Sequence, residues 1–561
     1  MTGRRRPRAA ALPWLLAASL IAGAGRADGP GAPPAPTGIS FKTFGTPSAE
    51  DPVQHVYALL VPRAYKPDRP WPLLVALHGA FSTHIENLRR TVGMKGEAGP
   101  LPDPPMLVLS PLGGGELMAY DGLGEDDVLR SIDDVRRTYN IDPDRIYLTG
   151  LSMGGGGTWS IGLRRPDLFA ALVPVCAVVD PRQWIDPRDR ALYDLDGLAL
   201  GMPPAVAENA LNLRVFFFHG DADRVVPVGD AHLMRDRFKA LGWLDKNVRY
   251  FELPGVGHNA WDVAYKDGNV FHLLEGIRRD PFPARVWFKA ASPRHAKAYW
   301  TRIDRIDRAP AELDARQHDG AFTVRIAGAS GFSLLFDRAF VPPAKTVTVR
   351  IDDGPVVYSG AAGDGLSFAR EGTRWRRVPA PVTGPAQSAA PIAVVGLASR
   401  CLPRQAAHAY VYGTDGPPAT VAAARRLAEA LADWGPGVRS HFAVLADSAA
   451  TDDVVTRVNL VLIGDAVTNR VVRRIAARAP LPITADASDG DRSYRLLVRE
   501  ALAPGRHALI FGARSPAALG RLQRFARPNK DAWAPEPNLD YIQFDGAGAV
   551  DRSTAGRSTI K

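Results

Sequence analysis

The sequence predicts an α/β protein: a large, mostly parallel sheet with helices on both faces, followed by a small β-sandwich-like module and a second, smaller α/β domain. Three observations predict it. Between 55 and 283, runs that are apolar almost throughout, at 57–61, 73–77, 106–109, 146–149, 171–175 and 215–218, are bounded by Gly, Pro or Asp and alternate with helix-like segments. Strands buried on both faces read this way, and their alternation with helices gives a parallel sheet. From 284 to 388 the runs 321–326, 331–336 and 346–351 alternate along their length, with a turn at Asp353-Gly354, as antiparallel strands with one wet face do. From 389 to 546 strand-like runs at 407–412, 459–463 and 508–511 again alternate with helical stretches near 420–434 and 467–477.

The 561 residues, 46% of them hydrophobic, suffice for more than one core. Half of the net charge of +10 comes from Arg4, Arg5, Arg6, Arg8 and Arg26, which no acid accompanies. An uncharged apolar stretch over 9–25 and small residues follow the first four, so 1–27 reads as a signal peptide cleaved after Ala24 or Ala27. Pro13 and several Gly and Ala make that stretch a poor spanning helix, so the mature chain is expected outside the cell or in the periplasm, with no stable membrane insertion. The arginine cluster admits general or twin-arginine export. The remaining positive charge forms no basic stripe interleaved with aromatics, and no nucleic-acid partner is expected. Segment 28–54 reads as a leader that starts flexible, and 547–561 as a disordered tail. Two cysteines, Cys176 in an apolar run and the distant Cys401, do not make a disulfide framework.

The chemistry centres on Gly150-Leu151-Ser152-Met153-Gly154, which follows the 146–149 strand and precedes a helix-like stretch over 158–165. A serine hydroxyl is a weak nucleophile and must project from a tight turn toward a base, with glycines where a β-carbon would collide with neighbours. The helix after Ser152 aims backbone N–H groups at developing negative charge, the Met153 amide first. An acid is expected after the 215–218 strand. Asp223 is assigned to that role, Asp221 to shaping the turn, and Asp180 is a third candidate from an earlier strand. His258, in Gly255-Val256-Gly257-His258, follows the strand at 248–253 and is assigned as the base. The order serine, acid, histidine is that of the α/β-hydrolase fold. His78-Gly79-Ala80, at the end of the 73–77 strand, is the corner that supplies a second backbone donor in this plan, the Ala80 amide, with His78 itself structural. Tyr120 and the 110–115 loop are expected to line the substrate pocket. No phosphate loop, zinc-like cluster or dinucleotide fingerprint accompanies these features, so no cofactor or metal is assigned.

Leu77-His78-Gly79, the segment Asp142 to Gly155, Arg165-Pro166-Asp167-Leu168-Phe169 and His219-Gly220-Asp221-Ala222-Asp223 together resemble secreted bacterial esterases related to polyhydroxybutyrate depolymerases and to feruloyl and acetylxylan esterases, within the prolyl-oligopeptidase-family hydrolases. The resemblance covers about 55–280. It implies triad roles for Ser152, Asp223 and His258, and as substrate an ester or polymeric ester, polysaccharide-borne esters included. Gly156 and Gly157 depart from it, since such enzymes often carry a larger residue there. The leading expectation is hydrolysis of a carboxylic ester through an acyl-Ser152 intermediate. Two other readings stay open. One is a serine peptidase like prolyl oligopeptidase, although the 27 residues of 28–54 leave no room for the β-propeller that usually precedes that catalytic domain. The other is a non-catalytic carbohydrate- or surface-binding protein on a hydrolase scaffold, kept open by the β module and the C-terminal domain.

Overall fold

Leu73, Leu74, Val75, Ala76 and Leu77 are all fully buried, because their strand runs through the middle of an eight-stranded sheet covered on both faces. In this computed structural model the residues described are 37–48, 51–94, 103–116, 119–185, 187, 190, 193, 195–379, 387–388, 407–433, 442–478, 481, 492–498, 501–525 and 541–544. The expected signal peptide, the tail and Cys401 lie outside them.

The sheet contains β1 (Gly38–Phe44), β2 (His55–Val61), β3 (Trp71–Leu77), β4 (Leu107–Pro111), β5 (Ile141–Leu151), β6 (Ala171–Val175), β7 (Arg214–Gly220) and β8 (Val248–Leu253). Its spatial order is β1-β2-β4-β3-β5-β6-β7-β8, and every pairing from β4 to β8 is parallel. β2 runs antiparallel to both β1 and β4. The first strand is a correction to the expected leader: 38–44 pairs with the whole of β2, from Gly38 on Val61 to Phe44 on His55. Its residues are half exposed, as on an edge, so it lacks the continuous apolar run that marks the inner strands.

Side chains alternate across the sheet. Leu73, Val75 and Leu77 join one core with Val128, Ile132 and Val135 of helix α2 (Leu123–Thr138), whereas Leu74 and Ala76 join the core on the other face with Leu88 of helix α1 (His84–Thr91). α2 carries Glu125 and Asp126 in its first turn and Arg136 and Arg137 in its last, matching the helix dipole at both ends. Helix α3 (Met153–Arg164) starts directly after the nucleophile-like turn, five residues earlier than the helix-like stretch in the sequence, because its first turn is Gly154 to Gly157 and carries no apolar pattern. Glycines are weak helix formers, and packing compensates here: Trp159 is buried with its ring 5.5 Å from Phe217 of β7.

The β module is a sandwich. A five-stranded sheet built from 285–361 and a six-stranded sheet built from 297–378 and 387–388 share one core, in which Phe288, Leu313 and Val324 meet Ile303, Phe332 and Phe368. It is fastened to the hydrolase domain by polar contacts as well as by the chain. Asn209 takes both backbone groups of Lys289, donating at 3.1 Å and accepting at 2.7 Å, and the Tyr299 hydroxyl donates to the Pro166 carbonyl at 2.8 Å. Glu125 of α2 has a fully buried side chain, held by Arg165 at 2.9 Å and by His295 of the module at 2.9 Å. Burial alone would raise this carboxyl, but His295, Arg294 and Arg165 outweigh it and keep Glu125 ionised. The last sheet, order 446–444 strand, His408–Tyr412, Asn459–Ile463, Ala508–Gly512, Ser493–Val498 and Tyr541–Phe544, is parallel over its first four strands and antiparallel over the last two. Its helices Pro418–Ala432 and Arg470–Ala476 fall close to the stretches read from the sequence.

Removing a buried acceptor leaves its donors unpaired, so Glu125→Ala, which takes the carboxylate from Arg165 and the buried His295 while Arg294 keeps Asp126, is expected to lower stability by about 2 kcal/mol. Denaturant unfolding of the two proteins measures it; a loss below about 1 kcal/mol would show that the cluster is solvated and does not fasten the module.

Candidate active site

The C-terminal ends of β3, β5, β7 and β8 all open on one edge of the sheet, where a doubly covered parallel sheet places its ligands. Ser152 stands at the end of β5 with φ 57° and ψ −117°, a conformation that L-residues rarely adopt and that costs on the order of 1–3 kcal/mol. The surrounding glycines make it possible. A β-carbon on Gly150 would lie 2.3 Å from the Gly154 carbonyl oxygen, and one on Gly154 would lie 2.2 Å from the Leu77 carbonyl oxygen. The Ser152 amide donates to the Val175 carbonyl at 2.9 Å and so ties the turn to β6.

His258 reaches this turn from the loop after β8. Its Nε2 is 2.8 Å from Ser152 Oγ and its Nδ1 is 2.7 Å from Asp223 Oδ2. The Trp261 and His258 rings stand at right angles with their centres 5.4 Å apart, and the Arg90 guanidinium lies 5.3 Å from the Trp261 ring centre. Asp223 is held twice over: its Oδ1 accepts the Val225 and Val226 amides at 2.8 and 2.9 Å, and its Oδ2 faces a second imidazole, His219, at 3.3 Å. Burial alone would raise the Asp223 carboxyl; the hydrogen bonds from His219, His258 and the Val226 amide outweigh burial and hold it well below the usual carboxylate range. Asp221, by contrast, accepts the Gly255 amide at 2.7 Å and donates its own amide to Leu253, which is the turn-shaping place read for it. Asp180 is bonded to Arg182 at 2.8 and 2.9 Å and makes no contact with His258.

Met153, one expected donor, is the first residue of α3 directly after the serine, and Gly79, the residue before the other expected donor Ala80, comes so close that a β-carbon on it would lie 3.5 Å from Ser152 Cβ. Phe81 spends its own amide on the Glu116 carbonyl at 3.1 Å, and Ser82 spends its amide on Gly79. Next to Ala80 and two residues from Asp223, Phe81 and Val225 are large apolar side chains 69% and 49% exposed. Tyr120 departs from its expected place. It is 2% exposed, packed behind the corner with its hydroxyl on the His78 backbone, and does not line an open pocket. Its depth could not be read, because the 110–120 segment carries no period that distinguishes a wall from a filler. The contact of His219 with Asp223 was equally invisible, although both belong to one quoted motif. Cys176, directly after β6, carries a buried thiol raised far above its usual range by burial. Among the described residues no group of three His, Cys, Asp or Glu side chains is placed to hold a metal ion.

An imidazole between a hydroxyl and a carboxylate can deprotonate the hydroxyl and pass the proton on to a leaving group. Fold and site together define the first domain as a serine hydrolase of the α/β-hydrolase fold. Its residues 123–275 match the prolyl oligopeptidase family. A bifunctional acetylxylan esterase/xylanase of Neocallimastix patriciarum is 33% identical over 250 residues, which are 41% of this chain and 31% of the relative. The chain thus spans about a third of the length of that curated relative. Among solved structures, a thermostable esterase is 24% identical with a TM-score of 0.31, covering 43% of this chain and 63% of that one. An S-formylglutathione hydrolase of Staphylococcus aureus is 19% identical with a TM-score of 0.32, covering 42% of this chain and 100% of that one.

The depressed Asp223 carboxyl has a sign that can be checked. Its ionised form is favoured by the fold, so its contribution to stability is complete above the unfolded value of about 3.9 and is lost as the pH falls toward the folded value. Asp223→Asn is therefore expected to be less stable than the parent at pH 7, with the gap narrowing below about pH 4. Thermal unfolding across that range tests this, and a gap that stays constant or widens on acidification would contradict it.

Proposed function

We propose that the protein is an exported carboxylic-ester hydrolase that works through an acyl-Ser152 intermediate. The observation that carries the reading is the continuous line from Asp223 through His258 to Ser152, with contacts of 2.7 and 2.8 Å. His258 Nε2 takes the Ser152 proton as Oγ bonds to the ester carbon, and the carbonyl electrons move onto oxygen, where the Met153 and Ala80 amides receive the charge. Collapse of this tetrahedral species breaks the bond to the alcohol, which leaves with the proton from His258. Water then repeats the sequence on the acyl group, giving up its proton to His258 and releasing the acid as Oγ recovers one. Asp223 keeps the proton of His258 on Nδ1 and stabilises the imidazolium. The apolar rim of Phe81 and Val225 suits an acyl chain or an aromatic acid.

Similarity to an acetylxylan esterase/xylanase supports an ester on a polysaccharide as the substrate class, and the basic and apolar stretch at 1–27 supports export. A second reading, a serine peptidase, is favoured by the family that residues 123–275 match. Turnover of aryl and acetyl-sugar esters beside proline-containing peptides separates the two. Ester turnover that exceeds peptide turnover, and that falls roughly 10⁴-fold in Ser152→Ala, is the expected result. Undiminished hydrolysis by that variant would remove Ser152 from the mechanism, and preference for the peptides would favour the second reading.

A further inference from the structure

Tyr120 sits where three parts of the site converge. Its hydroxyl accepts the His78 amide at 2.9 Å and lies 3.3 Å from the His78 carbonyl oxygen, so one phenol serves both backbone groups of the residue that turns β3 into the corner. His78 is fully buried and past the last paired residue of its strand, so neither water nor a neighbouring strand is there to take these groups. Its imidazole stands tilted against the phenol ring at 5.6 Å and spans the Gly79 and Leu112 carbonyls, each at 2.8 Å.

The ring of Tyr120 fills a slot that two glycines leave open. A β-carbon on Gly113 would lie 2.4 Å from Tyr120 Cε1, and one on Gly157 would lie 2.6 Å from Tyr120 Cβ and Cδ2. Gly157 belongs to α3, the helix that begins with Met153, whereas His78 leads to Ala80. Tyr120 therefore touches the elements that carry both amides beside Ser152. Gly157, a departure from related enzymes in the sequence, has its physical reason here: a side chain at 157 and an inserted Tyr120 exclude each other.

The geometry points to Tyr120 as a positioning residue for the oxyanion corner, a gauge that sets the Ala80 amide against the nucleophile helix through the His78 backbone, with Gly113 and Gly157 as its clearance. This rests on the ester-hydrolase reading. Tyr120→Phe keeps the ring and its packing but leaves the buried His78 amide without its acceptor, so the corner relaxes toward another partner. Interactions with developing oxyanion charge suffer, and ground-state binding does not.

The expected result for Tyr120→Phe is a kcat roughly 10- to 100-fold lower on an aryl ester, with KM within about threefold, an unchanged pH profile, and a rate of labelling by a fluorophosphonate that falls by a similar factor. Gly157→Ala, which pushes on the ring from the helix side, is expected to change kcat and labelling in the same direction. A Tyr120→Phe protein that melts lower but keeps its kcat and labelling rate within twofold would overturn the proposal, since a purely structural tyrosine gives that result. Impairment of Gly157→Ala alone would overturn it too, because the hydroxyl would then be irrelevant. If the parent protein labels but hydrolyses no ester, the ester reading fails while the labelling rates still decide the role of Tyr120.

Discussion

The site depends on how closely three backbone segments approach one another around Ser152. Carbonyls of Leu77 and Gly154 stand where β-carbons on Gly154 and Gly150 would be, within 2.2 and 2.3 Å. Only glycine permits that approach, and it is what turns β5 so sharply that the serine is held at φ 57° with its hydroxyl raised off the sheet. The strain is sustained because the sheet around it is rigid: β3, β5 and β6 are buried on both faces and paired in parallel without a gap beside the turn. Everything else in the site is arranged relative to this fixed point.

Electrostatics then give the hydroxyl its direction. The acid is buried, yet four hydrogen-bonding groups converge on its two oxygens, two amides and two imidazoles, so it stays charged where burial alone would neutralise it. A charged Asp223 keeps the proton of His258 on the nitrogen remote from the serine, which leaves Nε2 as the acceptor. The β module contributes from a distance, through the buried Glu125 cluster at the base of α2 and beside the C-terminal end of α3.

Much of this was legible in the residues. Inner strands betray themselves by continuous apolar runs, and the pentapeptide at Ser152, the loop at Asp223 and the loop at His258 follow such runs in the order that the fold needs. Asp221, nearest the strand end and read as the turn-former, accepts the Gly255 amide, while Asp223, read as the acid, faces His258. Other features have no one-dimensional signal. β1 is an edge strand with mixed exposure and resembles a leader. An aromatic residue near a glycine loop serves either as a wall or as a filler, and for Tyr120 only the two absent β-carbons at 113 and 157 reveal which. Contacts across long separations, such as Glu125 with His295, depend on folding of the whole chain.

The central claim is that Ser152 is the nucleophile. Peptide mapping by mass spectrometry after exposure of the folded protein to a fluorophosphonate tests it most directly. The account predicts a single phosphonyl group, on the peptide that contains Ser152, and no modification once the protein is unfolded beforehand. Modification of another residue, or an unmodified Ser152 peptide from folded protein, would contradict it.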